Sequence, residues 1–180
     1  MGNYIAFHRA INVSGSKIIK MEHLRTMFAD MGFKNVASYI QTGNVYFETK
    51  ATDTDKLAKK IESHLEKELG FEVETFVYTV EELAQVIKKD PFKKIEDDGN
   101  AVIYIGFLQS EPEKELVEKL YTYNSDVDTF KVLGKVLYIL RYRDKGKSIM
   151  TPGFIEKKLK MKCTTRNRKT IHKLLDLYGQ

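Results

Sequence analysis

The apolar positions of the first half of the chain alternate between strand-like and helix-like spacing. Tyr4 to His8 predicts a strand that places Ile5 and Phe7 on one face. Apolar residues at intervals of three and four predict two helices, one over Leu24–Met31 and one over Leu57–Leu69. The strands predicted in this half cover residues 4–8, 36–40, 45–47 and 73–78. The order is therefore strand, helix, two strands, helix, strand.

The second half of the chain repeats this order. Ala101 to Leu108 predicts a strongly apolar strand, and a helix follows with Leu116, Val117 and Leu120 on its apolar face. Two further strands, residues 129–133 and 136–140, form a hairpin about Gly134-Lys135. The remaining predicted elements are a helix carrying Ile155 and Leu159, a short strand near residues 162–164, and a terminal helix with Ile171, Leu174, Leu175 and Tyr178.

Short polar motifs predict where several of these elements begin and end. A Ser, Thr or Asp at the start of a helix can accept a hydrogen bond from a backbone N–H, and Gly at the end can adopt a left-handed conformation. The predicted helix starts are Asp53 or Asp55, Thr79–Glu82, Ser110–Glu113 and Thr151-Pro152, and the predicted closing glycines are Gly32 and Gly70. Gly43-Asn44 predicts a tight hairpin turn.

This pattern predicts an α+β fold of two ferredoxin-like (α/β-plait) units in tandem, because each half has the order of the split βαβ motif. The first unit is expected over residues 1–79 and the second, with its basic C-terminal helix, over residues 101–180. A connecting helix and a charged linker, which Asp90-Pro91 separates, occupy residues 80–100.

Composition places the protein among soluble globular chains and restricts its chemistry. Formal net charge is +5 over 180 residues, and the stretch from Arg141 to Gln180 carries twelve Lys and Arg against three Asp and Glu. A basic segment of this kind favours polyanions, although a solvated lysine-rich surface has the same composition. Cys163 is the only cysteine, which excludes an internal disulfide and a zinc site of the CxxC type.

No signal peptide, myristoylation motif or membrane-spanning apolar run is recognisable, so a cytoplasmic protein without a membrane partner is expected. His8, His23, His64 and His172 are scattered without metal-ligand spacing, and the sequence predicts neither a metal nor a cofactor. Cys163 with a histidine could form a nucleophile and base, but a buried packing residue is the more common role of a lone cysteine. Catalytic residues and the oligomeric state stay unassigned.

Several segments resemble a bacterial family catalogued as domain of unknown function 1697. The opening stretch from Tyr4 to Gly15 carries the resemblance, and it continues through the segments 39–45, 90–92 and 164–167. The family usually has Gly where this chain has Ala10, and commonly Gly where it has Ser14. It often has an aromatic residue where this chain has Arg168. The resemblance implies two α/β-plait units over nearly the whole chain, and it implies no reaction.

Cations gather at the predicted start of the last helix, where the helix dipole disfavours them. Arg166, Arg168 and Lys169 lie in or just before the first turn, with Thr165 or Asn167 as the N-cap. An anion held by the backbone N–H groups and the guanidinium groups would explain this placement. Screening of the charges by solvent explains it equally well.

A second group of polar residues follows the first strand. Ser14-Gly15-Ser16 offers hydroxyl groups and a flexible backbone for a nest of N–H groups, and Lys17 and Lys20 lie beside it. The spacing is neither that of a Walker A loop nor GxGxxG. A plain surface turn also uses Gly and Ser. Arg9 could equally pair with a carboxylate of a neighbouring element, and Asn12 and Asn44 could cap turns.

The sequence therefore predicts one site for a phosphate-bearing ligand, a nucleotide or a nucleic acid. Its candidate residues are Arg9, Asn12, Ser14, Gly15 and Lys17 from the first unit and Arg166, Asn167 and Arg168 from the second. An RNA-recognition plait is disfavoured because the RNP1 pattern is missing. Two alternatives stay open: an enzyme with an arginine-lined cleft between the units for an anionic small molecule, and a structural or oligomeric protein with an apolar patch across its sheets.

Overall fold

Residues 1–179, which a computed structural model describes, form two four-stranded antiparallel sheets and six helices. The predicted mixed α+β class and the two similar halves are confirmed. None of the helices in this part of the chain combines the length and the apolar character needed to span a bilayer.

The first sheet has the strand order β2-β3-β1-β4. Its strands are β1 (Gly2–His8), β2 (Lys34–Tyr39), β3 (Asn44–Thr49) and β4 (Thr75–Thr79). Helix α1 (Met21–Asp30) joins β1 to β2, and α2 (Thr54–Leu69) joins β3 to β4. Central strand β1 is antiparallel to both β3 and β4, with Tyr4 opposite Phe47 on one side and Thr79 on the other.

Helix α3 (Val80–Lys88) follows β4 directly and leads to the second sheet, whose order is β6-β7-β5-β8. Its strands are β5 (Ala101–Leu108), β6 (Asp128–Leu133), β7 (Val136–Tyr142) and β8 (Cys163–Asn167). Its helices are α4 (Lys114–Tyr121), α5 (Pro152–Leu159) and the C-terminal α6 (Arg168–Tyr178), with a short 3-10 helix at Arg143–Lys145.

The chain divides into two compact units. The first unit contains residues 1–83 and the chain from Leu174 onward, and the second unit contains residues 84–173. Helix α3 therefore begins in the first unit and ends in the second, whereas α6 begins in the second and ends in the first. In the first unit, Tyr178 of α6 stacks on Tyr46 of β3 at 4.3 Å between ring centroids.

Each unit has its own apolar core between its sheet and its helices. In the first unit the rings of Phe28, Phe33 and Phe47 are buried together, with centroids 4.5–5.9 Å apart. In the second unit Phe130, Leu137 and Ile139 are fully buried against α4 and α5. Helical periodicity predicted the buried face of α1, which includes Phe28, because burial of apolar area drives that pattern. Of β1, Tyr4 and Ala6 belong to this core, whereas Ile5 and Phe7 are buried outside it.

Most predicted caps are present. Asp53 accepts a hydrogen bond from the Lys56 N–H at 3.0 Å, and Thr151 accepts one from the Phe154 N–H at 3.1 Å. Thr79 and Glu82 exchange both bonds of a capping box. Gly70 closes α2 in the left-handed conformation at φ +76°.

Three local predictions are wrong. The side chain of Glu113 makes no capping bond, and α4 begins only at Lys114, since Pro112 disfavours a helical conformation just before it. Strands β2 and β3 are joined by the four-residue loop 40–43, because Asn44 donates to the Tyr39 carbonyl and the Thr42 hydroxyl and itself begins β3. Strand β8 extends to Asn167, which pairs with Tyr104.

Candidate functional site

The β1–α1 loop, residues 9–20, has an unusual backbone. The angle φ is positive at Ala10, Asn12 and Ser14, with values of 50–55°, and the residue between each pair has negative φ. Gly15 and Lys17 also have positive φ. Left-handed backbone costs an L-residue other than glycine about 1–2 kcal/mol. Alternation of the sign of φ turns successive N–H groups toward a common centre, which is the geometry of an anion-binding nest.

Several N–H groups of this loop have no acceptor in the described part of the chain. Those of Ala10, Ile11, Ser14 and Gly15 donate to no atom of residues 1–179. The Ser16 N–H, by contrast, bonds to the Val13 carbonyl at 3.0 Å. The loop therefore keeps several N–H groups without acceptors, although a hydrogen bond between its own residues helps to fix its conformation.

Asn12 fixes the loop in place. Its side-chain oxygen accepts a hydrogen bond from the Ile19 N–H at 2.7 Å, and its side-chain nitrogen donates to the carbonyls of Ile19 at 3.0 Å and Gln41 at 2.8 Å. These contacts join the β1–α1 loop to the loop between β2 and β3. The alternative role of Asn12 as a turn-capping residue is confirmed, since all three bonds go to backbone groups.

Arg9 and Lys17 are the two cations of the predicted site that belong to the first unit. Each has a contact within that unit. The Arg9 guanidinium pairs with the Glu74 carboxylate at 3.3 Å and keeps 21% of its side chain exposed. The Lys17 ammonium donates to the Glu72 carbonyl at 2.7 Å and lies 5.4 Å from the ring centroid of Phe71. The expected alternative for Arg9, a carboxylate partner from a neighbouring element, is confirmed.

Arg166 lies in β8, two residues before α6 begins. Its guanidinium is buried and donates to the Thr164 hydroxyl at 2.8 Å and the Thr165 carbonyl at 2.9 Å. Burial lowers the pKa of Arg166 to about 10, because removing the guanidinium from water disfavours its charged form.

Arg168 begins α6 and is bound to the segment that follows α3. Its guanidinium pairs with the buried Asp90 carboxylate at 3.0 Å and donates to the carbonyls of Phe92 at 3.0 Å and Ile95 at 2.6 Å. In the next position Lys169 pairs with the carboxylate of Asp97 at 3.3 Å. The anions expected near the start of this helix are thus carboxylates of the chain itself.

Asn167 caps α6, because its side-chain oxygen accepts a hydrogen bond from the Lys169 N–H at 2.8 Å. Beside it the second unit has a cavity of about 440 Å³, and its lining mixes acids and bases. The titratable residues around it are Asp90, Lys93, Lys94, Glu96, Asp97, Arg168, Lys169 and His172. No group of three or more His, Cys, Asp or Glu side chains in residues 1–179 could hold a metal ion.

The structure brings Arg9, Asn12, Ser14, Gly15 and Lys17 into one loop and its immediate surroundings, and it gives Arg166 and Arg168 partners within the second unit. Sequence reasoning missed Asp90 and Asp97 as partners of the helix-start cations. The sequence predicts that Asp90-Pro91 ends the connecting helix, but it predicts no partner for the Asp90 carboxylate. Since Asp90 and Arg168 are 78 positions apart, no local spacing pointed to their pairing.

Comparison with protein families decides the assignment of the chain. A family model described as protein of unknown function (DUF1697) matches residues 1–138. The chain belongs to the DUF1697 family. No functionally curated protein matches it.

The fold of this DUF1697 protein is similar to that of the conserved bacterial protein SP0830 from Streptococcus pneumoniae. The two chains superpose with a TM-score of 0.75 over 96% of each chain, at 18% sequence identity. At this identity the likeness shows a shared fold alone.

Two residues of the β1–α1 loop other than glycine have a strained backbone conformation. Ala10 and Ser14 have φ of +55° and +50°. Replacement of Ala10 by glycine should raise the free energy of unfolding by about 1 kcal/mol, because relief of the left-handed strain exceeds the entropy cost of glycine in the unfolded chain. Urea denaturation followed by circular dichroism measures this change.

Ala58, within helix α2, is the matched control. Ala58→Gly should lower the free energy of unfolding by at least about 0.5–1 kcal/mol. The backbone there has negative φ, so glycine adds flexibility without relieving strain, and it also removes a methyl group that packs against the core. A loss of stability in both variants would contradict the strain assigned to Ala10.

Proposed function

We propose that the β1–α1 loop binds the phosphate group of a ligand, either a nucleotide or a segment of nucleic acid. One observation carries the proposal: a backbone of alternating φ leaves the N–H groups of Ala10, Ile11, Ser14 and Gly15 without acceptors in the described chain. Backbone N–H groups arranged in this way bind phosphate oxygens by charge-assisted hydrogen bonds.

The charges around the loop support the same function. Lys17 is held by a carbonyl rather than a carboxylate, so its positive charge is not neutralised by that contact. Arg9 also lies at the loop, with its guanidinium 3.3 Å from the Glu74 carboxylate. A phosphate at the loop would therefore meet both neutral donors and cations.

The proposal does not extend to Arg168, since its bonds to Asp90, Phe92 and Ile95 hold it within the second unit. For Arg166 and Asn167 the ligand role stays a prediction. We also propose that each unit is a ferredoxin-like plait. The strand orders β2-β3-β1-β4 and β6-β7-β5-β8, with helices between the first and second and the third and fourth strands of each unit, support this assignment.

Phosphate binding should be visible in the amide signals of the loop. Addition of inorganic phosphate or pyrophosphate at low ionic strength is expected to shift the ¹H–¹⁵N resonances of Ala10, Ile11, Ser14 and Gly15, because these amides gain an acceptor. Chloride at equal ionic strength is the control for screening. Shifts confined to other parts of the chain, or none, would contradict the proposal.

Removal of the lysine charge gives an independent test. Lys17→Met should weaken pyrophosphate binding about tenfold, since a hydrogen bond to a charged group contributes about 1.5–3 kcal/mol and part of it is lost to solvent screening. Lys145→Met, which removes the same charge from an exposed position of the second unit, should leave the affinity unchanged. Equal effects of the two variants would indicate only a general attraction of anions to a basic protein.

A further inference from the structure

The two units share a hydrogen-bonding arrangement at one end of the sheet. In the first unit the end of β1 lies opposite the start of β4, where Glu62 of α2 accepts a hydrogen bond from the Thr75 N–H at 2.9 Å. In the second unit the end of β5 lies opposite the start of β8, where Glu156 of α5 accepts one from the Cys163 N–H at 3.0 Å. The connection 109–113 between β5 and α4 therefore corresponds in position to the β1–α1 loop of the first unit.

A cavity of about 490 Å³ lies at this end of the second unit. Its lining includes Gln109 from the connection after β5, and it includes Lys157, Lys160 and Lys162 from the end of α5 and the turn before β8. Its lining also includes one carboxylate, that of Glu156. Three ammonium groups against one carboxylate leave the cavity with a formal charge of +2.

Lys160 occupies its position at a conformational cost. It follows the last residue of α5 with φ +54°, where glycine, and less often asparagine, is the usual residue. The ammonium groups of Lys160 and Lys157 have neither a hydrogen bond nor an ion pair in the described chain, so no such contact offsets the cost. The charge of Lys160 acts at longer range on Glu115, whose pKa is lowered mainly by its hydrogen bond with Lys119 and less by Lys160.

The dipole of α5 favours cations near the helix end, and Lys157 and Lys158 lie in its last turn. The Lys158 ammonium donates to the Tyr123 hydroxyl at 2.6 Å and lies 4.3 Å from the centroid of that ring. Lys157 instead lines the cavity. The helix dipole therefore explains why α5 ends in lysines, but it does not explain why Lys157 and Lys160 line a concave space without partners.

We propose that this cavity binds the phosphate group of a small polar molecule of the size of a sugar phosphate. A phosphate monoester carries a charge of about −1.5 to −2 at pH 7, which matches the formal charge of the cavity. The Gln109 side-chain oxygen accepts a hydrogen bond from the Lys162 N–H at 2.9 Å. Its side-chain nitrogen has no acceptor in residues 1–179 and can donate to a hydroxyl group of the ligand.

The dimensions and the lining of the cavity favour a small molecule over a nucleic acid. A volume of about 490 Å³ is typical of small-molecule sites. None of the described residues that line the cavity is aromatic, so it offers no ring on which a base could stack. This site and the proposed phosphate site of the β1–α1 loop share no residue, so either proposal can fail without the other.

NMR and isothermal titration with three probes, glucose 6-phosphate, ribose 5-phosphate and glycerol 3-phosphate, test the proposal at low ionic strength. At least one of them should shift the ¹H–¹⁵N resonances of Lys160, Met161 and Lys162 and of the Gln109 side-chain amide. Glucose, ribose and glycerol should shift none of these signals, since they lack the phosphate. Inorganic phosphate should bind more weakly than the best probe, because it makes no contact through hydroxyl groups.

Variants separate this cavity from a general attraction of anions. Lys160→Asn should lower the affinity for the best probe about tenfold, and it should melt no lower than the parent because asparagine tolerates the left-handed backbone. Lys157→Met should also lower the affinity. Lys158→Met removes the same charge from the adjacent position and is the matched control, which should keep the parental affinity. Lys17→Met, in the first unit, should keep it as well.

Four results would overturn the proposal. They are the absence of shifts at the cavity with all three probes, equal loss of affinity in Lys160→Asn and Lys158→Met, and binding of inorganic phosphate as tightly as the best probe. The fourth is a shift of the cavity signals by oligothymidylate at lower concentration than by any sugar phosphate, which would indicate a nucleic-acid site.

Discussion

Arg168→Ala should lower the free energy of unfolding by about 3–5 kcal/mol, the largest effect expected for any single charge in this chain. Asp90 is 2% exposed and its carboxylate would lose the guanidinium at 3.0 Å, which leaves a buried charge without a counterion. The carbonyls of Phe92 and Ile95 would lose their donors in the same substitution. Urea denaturation followed by circular dichroism, with the midpoint compared to that of the parent, measures the loss.

Lys169→Ala is the matched control, since it removes the neighbouring cation of the same helix. Its side chain is 64% exposed, although that of Asp97 is only 6% exposed. Loss of this pair should therefore cost about 1–2 kcal/mol, less than loss of Arg168, whose guanidinium also donates to two carbonyls. The double variant Asp90→Leu, Arg168→Met should recover much of the stability lost in Arg168→Ala, because it removes both buried charges and not one. Equal effects of Arg168→Ala and Lys169→Ala would show that the guanidinium is solvated and that the pair contributes little.

Gly43→Ala should be the second most destabilising substitution, at about 2–5 kcal/mol. The backbone there has φ +79°, which costs an alanine about 1–2 kcal/mol. An added Cβ would also lie 2.5 Å from the Cδ1 atom of Ile11 and 3.0 Å from the Cβ atom of His8, and such overpacking typically costs about 1–3 kcal/mol. Thermal and urea unfolding measure the sum.

Gly70→Ala separates these two contributions. Gly70 has nearly the same φ, +76°, and no atom lies within 4 Å of the position of an added Cβ. It should therefore cost only the backbone part, about 1–2 kcal/mol. If Gly43→Ala proves no worse than Gly70→Ala, Ile11 moves aside freely, and the β1–α1 loop is less firmly held than its bonds to Asn12 indicate.

The sequence predictions were correct mainly where the interaction joins residues that are close together in the chain. Caps at Asp53, Thr79 and Thr151 were predicted correctly because each depends on an atom about three residues away. The hairpin about Gly134-Lys135 was predicted for the same reason, and Leu133 pairs with Val136 across it. The start of α4 was predicted wrongly at the capping motif Ser110–Glu113. Pro112 disfavours a helical conformation at the residue before it, so the helix begins only at Lys114.

The sequence predicted which residues form the candidate site. It did not predict the backbone conformation of these residues or the groups to which they bond. The polar residues after the first strand were recognised as a possible nest, but the alternating φ of Ala10, Asn12 and Ser14 was not, since Ala is not a residue that favours such a backbone. Ile40 is the predicted end of a strand, but β2 ends at Tyr39 and Ile40 lies in the loop that follows. The bond that joins this loop to the β1–α1 loop runs from Asn12 to the Gln41 carbonyl, 29 positions apart, and no local spacing pointed to it.

The amino-acid sequence by itself determined the order of strands and helices, the faces that are buried, and most element ends, because these follow from periodicity and from bonds between near neighbours. Only the tertiary structure decided which charges are free. Arg9, Arg166 and Arg168 are similar cations in the sequence, yet each is held by different groups after folding. The physical reason is that a carboxylate or carbonyl from a distant segment can neutralise a cation or occupy its donors, and such a partner leaves no trace in local spacing.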